Sequence, residues 1–200
     1  MSNKLILTEW YELQLSQEVI EEAKTSSGPL ILKDRILQRA NTKNFNGRVY
    51  PLPIMEREVK KYNKLVQERR ALGELDHPDS PIVELKNVAL LITEIHMNGD
   101  EVRGTVEILN TPPGNILRNL ALQGVRLGVS SRGVGSLRQE GDGDYVEDDF
   151  ELIAFDAVSS PSTPGAYLVT EGKLNKVDKY NDLRSVLYDI NGEDYFGSQR

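Results

Sequence analysis

The residues best suited to chemistry in this sequence are a serine set among glycines and a histidine held before a proline. Gly128-Val129-Ser130-Ser131-Arg132-Gly133-Val134-Gly135-Ser136 presents paired hydroxyls where glycine lets the backbone come close to another group, at a cost in strand stability. Earlier in the chain lies Gly73-Glu74-Leu75-Asp76-His77-Pro78. A serine hydroxyl is a poor nucleophile until an imidazole takes its proton. Two histidines are available, His77 and His96. His96 alternates with Glu94 in a stretch that reads as strand surface, so His77 is the better base. Ser130 and His77 are therefore expected to meet in space.

Acyl transfer also requires a group that orients the imidazole and N–H donors aimed at the oxyanion. Asp156, Glu74 and Asp76 are candidates for the orienting group. Asp156 stands out because it lies between Phe155 and Ala157 in an apolar run, where a carboxylate is either paired or costly to bury. Other chemistries are less well served. The absence of cysteine removes disulfides, thiolate metal sites and cysteine nucleophiles. A metal site would draw on Glu74, Asp76, His77 and Asp79, yet zinc usually takes two or more His or Cys ligands and His96 is the only other histidine. No metal or cofactor is expected. An unrelated serine esterase or amidase is disfavoured, since Gly128-Val129-Ser130-Ser131-Arg132 breaks the Gly-x-Ser-x-Gly elbow at its last position.

These groups must be positioned by the surrounding elements. Met55, Val59, Tyr62, Leu65, Val66 and Arg69 recur at helical spacing behind Pro51 and Pro53, which predicts an amphipathic helix over 52–70. Pro78 pushes His77 toward an extended conformation just after it. Residues 86–97 and 101–109 read as strands joined at Asn98-Gly99, a strong hairpin signal. Thr111-Pro112-Pro113-Gly114 opens a second helix that Gly124 stops, with Ile116, Leu117, Leu120 and Ala121 as its apolar stripe. The serine-rich strand is expected at 125–131, with Ser130 on the face opposite Val129 and Ser131. Leu30 to Leu32 reads as a short strand, 138–144 as an exposed turn, and Tyr145 to Val158 as two strand segments. An N-terminal strand leads into a hairpin or helix over 4–20. Past Tyr167 the periodicity fades, which divides the chain into a domain at 1–168 and a tail at 169–200.

The totals fit this picture. With 38% hydrophobic and 28% charged residues, 200 residues suffice for one cored domain. A net charge of −7 argues against a nucleic-acid partner, which normally meets a basic face. No run approaches the length of a membrane span, and the first residues lack a signal-peptide core, so an intracellular, soluble protein is expected.

Three segments together resemble a known family: Ala-Leu-Gly-Glu-Leu-Asp-His-Pro (71–78), Gly-Val-Ser-Ser-Arg-Gly-Val-Gly-Ser-Leu (128–137) and Asp-Ala-Val-Ser-Ser-Pro-Ser-Thr-Pro (156–164). Their order and spacing, with Asn-Gly-Arg-Val-Tyr-Pro (46–51), are similar to the prohead maturation proteases of phages with contractile tails. The resemblance implies a mixed α+β fold related to the herpesvirus capsid assembly protease, with a closed or nearly closed antiparallel β-barrel core and a few peripheral helices. It implies His77 as base, Ser130 as nucleophile and Asp156 as third member, with Arg132 and Gly133 as an oxyanion-hole or substrate-binding element. It further implies a serine endopeptidase that cuts scaffold, core and capsid-shell proteins after Glu, inside the assembling prohead in the host cytoplasm. A homo-oligomer is compatible with it. Val169-Thr170-Glu171-Gly172 is then a self-cleavage site that releases the tail. A catalytically silent core component of the same fold is the alternative.

Overall fold

In the computed structural model, residues 5–12, 28–44, 46–78, 80–125 and 127–159 are described, those of 8–12 by their backbone alone. Strand β1 (Leu5–Glu12) is followed by β2 (Leu30–Arg39), the two-residue β3 (Arg48–Val49) and helix α1 (Leu52–Gln67). Next come β4 (Leu72–Glu74), a 3-10 turn at Leu85–Asn87, β5 (Val88–Asn98), β6 (Glu101–Ile108) and helix α2 (Pro112–Leu122). The chain closes with β7 (Gly128–Gly135), β8 (Leu137–Glu140), β9 (Gly143–Val146) and β10 (Glu151–Val158).

The strands sort into a four-stranded sheet ordered β2-β6-β5-β4 and two three-stranded sheets, β1-β7-β10 and β3-β9-β8. All pairs are antiparallel except β3 with β9. A closed barrel is not seen among the described residues. The β4 and β10 edges touch through a single parallel bridge, Leu75 to Ala157, where the Asp76 N–H also donates to the Ala157 carbonyl at 2.7 Å. That contact matters most for the site, because it brings the end of β4 and the histidine beyond it onto β10. Close approach here depends on Gly73, where a Cβ would meet the Phe155 carbonyl oxygen at 1.9 Å.

Helix α1 forms where the sequence spacing predicts. Its buried face is Ile54, Met55, Glu58, Val59, Tyr62 and Val66, and Tyr62 packs edge-on against Phe155 of β10 with ring centroids 5.5 Å apart. The helix ends sooner than the predicted 70, with Arg69 at φ +54° and the Arg70 N–H turned back to the Leu65 carbonyl at 2.7 Å. Buried Glu58 ties the helix to the sheet, accepting from the Leu152 N–H at 3.0 Å, while Arg57 donates to the carbonyls of Asp148 and Phe150. Helix α2 is capped by Thr111, whose hydroxyl oxygen accepts from the Gly114 N–H at 3.1 Å. Of its predicted stripe, Leu117 and Ala121 are buried and Ile116 is exposed.

Three readings shift. Leu30 to Leu32 is the start of a ten-residue strand whose register slips between Leu32 and Arg35, where Asp34 takes φ +50°. The hairpin after β5 turns on Gly99-Asp100, since Asn98 pairs with Glu101. The segment 138–144 holds β8 and the start of β9 rather than a plain turn. The division at 168 and 169 and the Glu171 site lie outside the described residues. Among the described residues, no helix is long and apolar enough to cross a membrane.

Candidate active site

Ser130 sits on β7, the middle strand of its sheet, and Asp156 on β10 is its cross-strand partner. Cross-strand partners share a face, so hydroxyl and carboxylate stand on one side of the sheet, both almost wholly removed from solvent. His77 reaches them from the loop beyond β4. Its Nδ1 lies 2.9 Å from Asp156 Oδ2 and its Nε2 lies 2.5 Å from Ser130 Oγ. A carboxylate can only accept, so the ring proton belongs on Nδ1, leaving the Nε2 lone pair facing the serine O–H. The imidazole keeps 23% of its surface exposed and is the part of this line open to the outside.

Behind the imidazole is a buried charge cluster. Arg132 is fully buried, two residues beyond Ser130 and on the same face. Its guanidinium grips Asp156 side-on, Nε to Oδ2 at 2.8 Å and Nη2 to Oδ1 at 3.1 Å, and also donates through Nη2 to Glu74 Oε2 at 2.6 Å. Its third nitrogen, Nη1, donates to the Ser80 carbonyl at 2.5 Å. Asp156 Oδ1 takes a further bond from the Glu74 N–H at 3.0 Å, so both carboxylate oxygens are doubly satisfied. A buried ion pair needs this completeness, since desolvation otherwise exceeds the Coulomb gain. Burial, and then the negative charge of Asp156, pushes the Tyr62 hydroxyl far above its ordinary pKa, which keeps it neutral beneath the sheet.

The geometry thus brings together His77, Ser130 and Asp156. Glu74, an alternative orienting group, bonds Arg132 instead of His77, and Asp76 is exposed at φ +65°. The Arg132 side chain is committed to the Asp156 and Glu74 carboxylates and the Ser80 carbonyl, so any oxyanion donor at this position must be backbone. Gly133 is buried under Phe150, whose ring carbon lies 2.4 Å from where a Cβ would stand. The register between β7 and β10 slips between Leu152 and Ala154, opposite Arg132 and Gly133. Sequence reasoning missed the guanidinium's role as counter-ion, since an arginine in the glycine-rich strand Gly128–Gly135 does not reveal which way it points. His96 lies elsewhere, exposed and 3.8 Å from Asp34.

The fold matches a known class. The structure is similar to the solved structure of the bacteriophage T4 capsid assembly protease, with a TM-score of 0.68 at 27% identity, covering 80% of this chain and 99% of that one. In sequence it is 34% identical over 163 residues to the prohead core protein protease of Enterobacteria phage T4, spanning 77% of each chain. Residues 15–176 match the family described as prohead core protein serine protease, and the chain belongs to that family of phage prohead maturation proteases.

Proposed function

We propose that this prohead protease is a serine endopeptidase with Ser130 as nucleophile, His77 as general base and then acid, and Asp156 as the group that orients the imidazole. The observation that carries the reading is the continuous line from Asp156 Oδ2 to His77 Nδ1 at 2.9 Å and from His77 Nε2 to Ser130 Oγ at 2.5 Å. The Ser130 proton passes to Nε2 as Oγ attacks the scissile carbonyl, then to the leaving amine, and water hydrolyses the acyl-enzyme. The oxyanion falls to backbone N–H groups at Arg132 or Gly133, where the β10 register slip loosens the ladder.

The substrates inferred are prohead core or scaffold proteins and the capsid-shell protein, cut after Glu inside the assembling prohead in the host cytoplasm. The family resemblance and the similarity to the bacteriophage T4 capsid assembly protease support this reading. Removal of the tail after Glu171, which leaves residues 1–171 with the protease domain at 1–168, belongs to the same proposal, as does a fold shared with the herpesvirus capsid assembly protease. A fluorophosphonate probe tests the site. It labels the wild-type chain at Ser130 and leaves Ser130→Ala unlabelled; a wild-type chain that is folded and stays unlabelled supports the silent core component. Mass spectrometry of both chains tests self-cleavage, which predicts loss of residues past Glu171 in the wild type alone.

A further inference from the structure

Glu74 is a fully buried carboxylate that the acyl-transfer steps leave unused. Its Oε2 accepts from Arg132 Nη2 at 2.6 Å, its Oε1 accepts from the Glu84 N–H at 3.0 Å, and its own N–H donates to Asp156 Oδ1 at 3.0 Å. It therefore touches every group behind the imidazole and spans to the segment that follows His77. Arg132 completes the same span, reaching the Ser80 carbonyl with Nη1 and Asp156 with Nε.

The charges do not balance at rest. With His77 neutral, Glu74 and Asp156 surround a single guanidinium, and all three have 0% of their surface exposed. A lone unit of negative charge at that depth is unfavourable. It is neutralised when His77 becomes an imidazolium, which happens as Ser130 Oγ bonds to the substrate carbon, the carbonyl π pair moves to oxygen and the hydroxyl proton moves to Nε2. Among the described residues, the other charged or titratable groups around this centre are few. Lys86, on the turn before β5, is exposed and paired with the exposed Glu84 at 2.8 Å, with Glu74 a lesser influence on it. Asp76, in the histidine's own loop, is exposed, and Tyr62 of α1 stays neutral.

We propose that Glu74 is a positioning residue for proteolysis: through Arg132 it fixes Asp156 behind His77, and it supplies the surplus negative charge that the imidazolium neutralises. The proposal rests on the Ser130–His77–Asp156 reading. It explains why a second carboxylate stands behind an arginine that Asp156 alone would balance.

The test is the pH profile of kcat/KM for peptide cleavage in the wild type, Glu74→Gln and Glu74→Asp. Removing the charge destabilises the imidazolium, so the acid limb of Glu74→Gln, which needs neutral His77, moves about one unit toward lower pH, and its plateau falls about tenfold or more. Glu74→Asp keeps the charge and holds its limb at the wild-type position even where the plateau falls. A folded Glu74→Gln with a lowered plateau and an unmoved limb reduces Glu74 to a structural part and overturns the proposal. Should Glu74→Gln alone unfold, combining it with Arg132→Met removes the cation and the surplus anion together. Asp156 is then the single charge, and the limb returns to the wild-type position; a displaced limb there also overturns the proposal. Ser130→Ala separates the two readings. If that variant cleaves normally, the nucleophile assignment falls; if it is inactive while the Glu74→Gln limb stays put, only the role of Glu74 falls.

Discussion

Asp156 and Ser130 are direct partners across β10 and β7, yet their side chains communicate through a third residue from the loop beyond β4, His77. The strand pairing fixes two corners of the site rigidly. The imidazole is set by the parallel bridge between Leu75 and Ala157, which carries the β4 loop onto β10. Changes on either side of that junction therefore have separable effects.

Asp156→Asn is expected to lower kcat by about a thousandfold or more, because the amide NH2 must face donors on one side, either Arg132 Nη2 and the Glu74 N–H or His77 Nδ1–H and Arg132 Nε, and so permits the wrong imidazole tautomer. Buried donors of Arg132 and the Glu74 backbone also lose an acceptor, so the melting temperature falls. Single-turnover cleavage beside a thermal melt checks both.

Gly73→Ala acts on the junction itself. The new methyl would overlap the Phe155 carbonyl oxygen at 1.9 Å and Leu90 Cδ1 at 2.6 Å. The β4 strand must shift away from β10, with a stability loss of about 1–3 kcal/mol. Fluorophosphonate labelling of Ser130 slows at temperatures where the protein remains folded, since His77 moves with the strand.

Thr111→Ala provides the contrast. It removes the cap of α2, whose hydroxyl oxygen accepts from the Gly114 N–H at 3.1 Å, and costs about 1 kcal/mol. Cleavage by the folded protein is unchanged, because α2 packs chiefly against β5 and β6 rather than on the strands that carry Ser130 and Asp156.

Glu58 sets part of the acid sensitivity. Burial alone raises its pKa, but hydrogen bonds from Lys61, the Leu152 N–H and Arg57 outweigh it and hold the carboxyl below its ordinary range. A depressed folded-state pKa means stability that is present above the unfolded value and lost as pH falls through the folded one. Glu58→Gln is expected to lower the melting temperature at neutral pH and to flatten its decline below about pH 4.3. Melting curves across that range show the difference.

What the sequence conveyed follows the range of the interactions involved. Helix α1 was legible from Met55, Val59, Tyr62 and Val66, since helical periodicity is a local signal. The Gly99-Asp100 turn differed by one residue from the Asn98-Gly99 reading because register is decided by cross-strand packing over the whole hairpin. Strand β8 and the start of β9 were read as a turn because their side chains are mostly polar, and part of their ordering comes from long-range contacts such as Asp144 N–H to the Gly47 carbonyl. Asp156 was legible as a carboxylate in an apolar run that had to be paired. Its pairing with Arg132 was not, because an arginine in a glycine-rich strand gives no sign of whether it points inward. A closed barrel is not seen among the described residues, and how the strand edges meet is something sequence patterning does not specify.

The most direct measurement is the cleavage of a prohead core protein by purified wild-type and Ser130→Ala chains, with circular dichroism to show that both are folded. Removing the one hydroxyl that faces His77 Nε2 is predicted to abolish cleavage and leave the fold intact. A folded Ser130→Ala chain that cleaves at the wild-type rate would contradict the account.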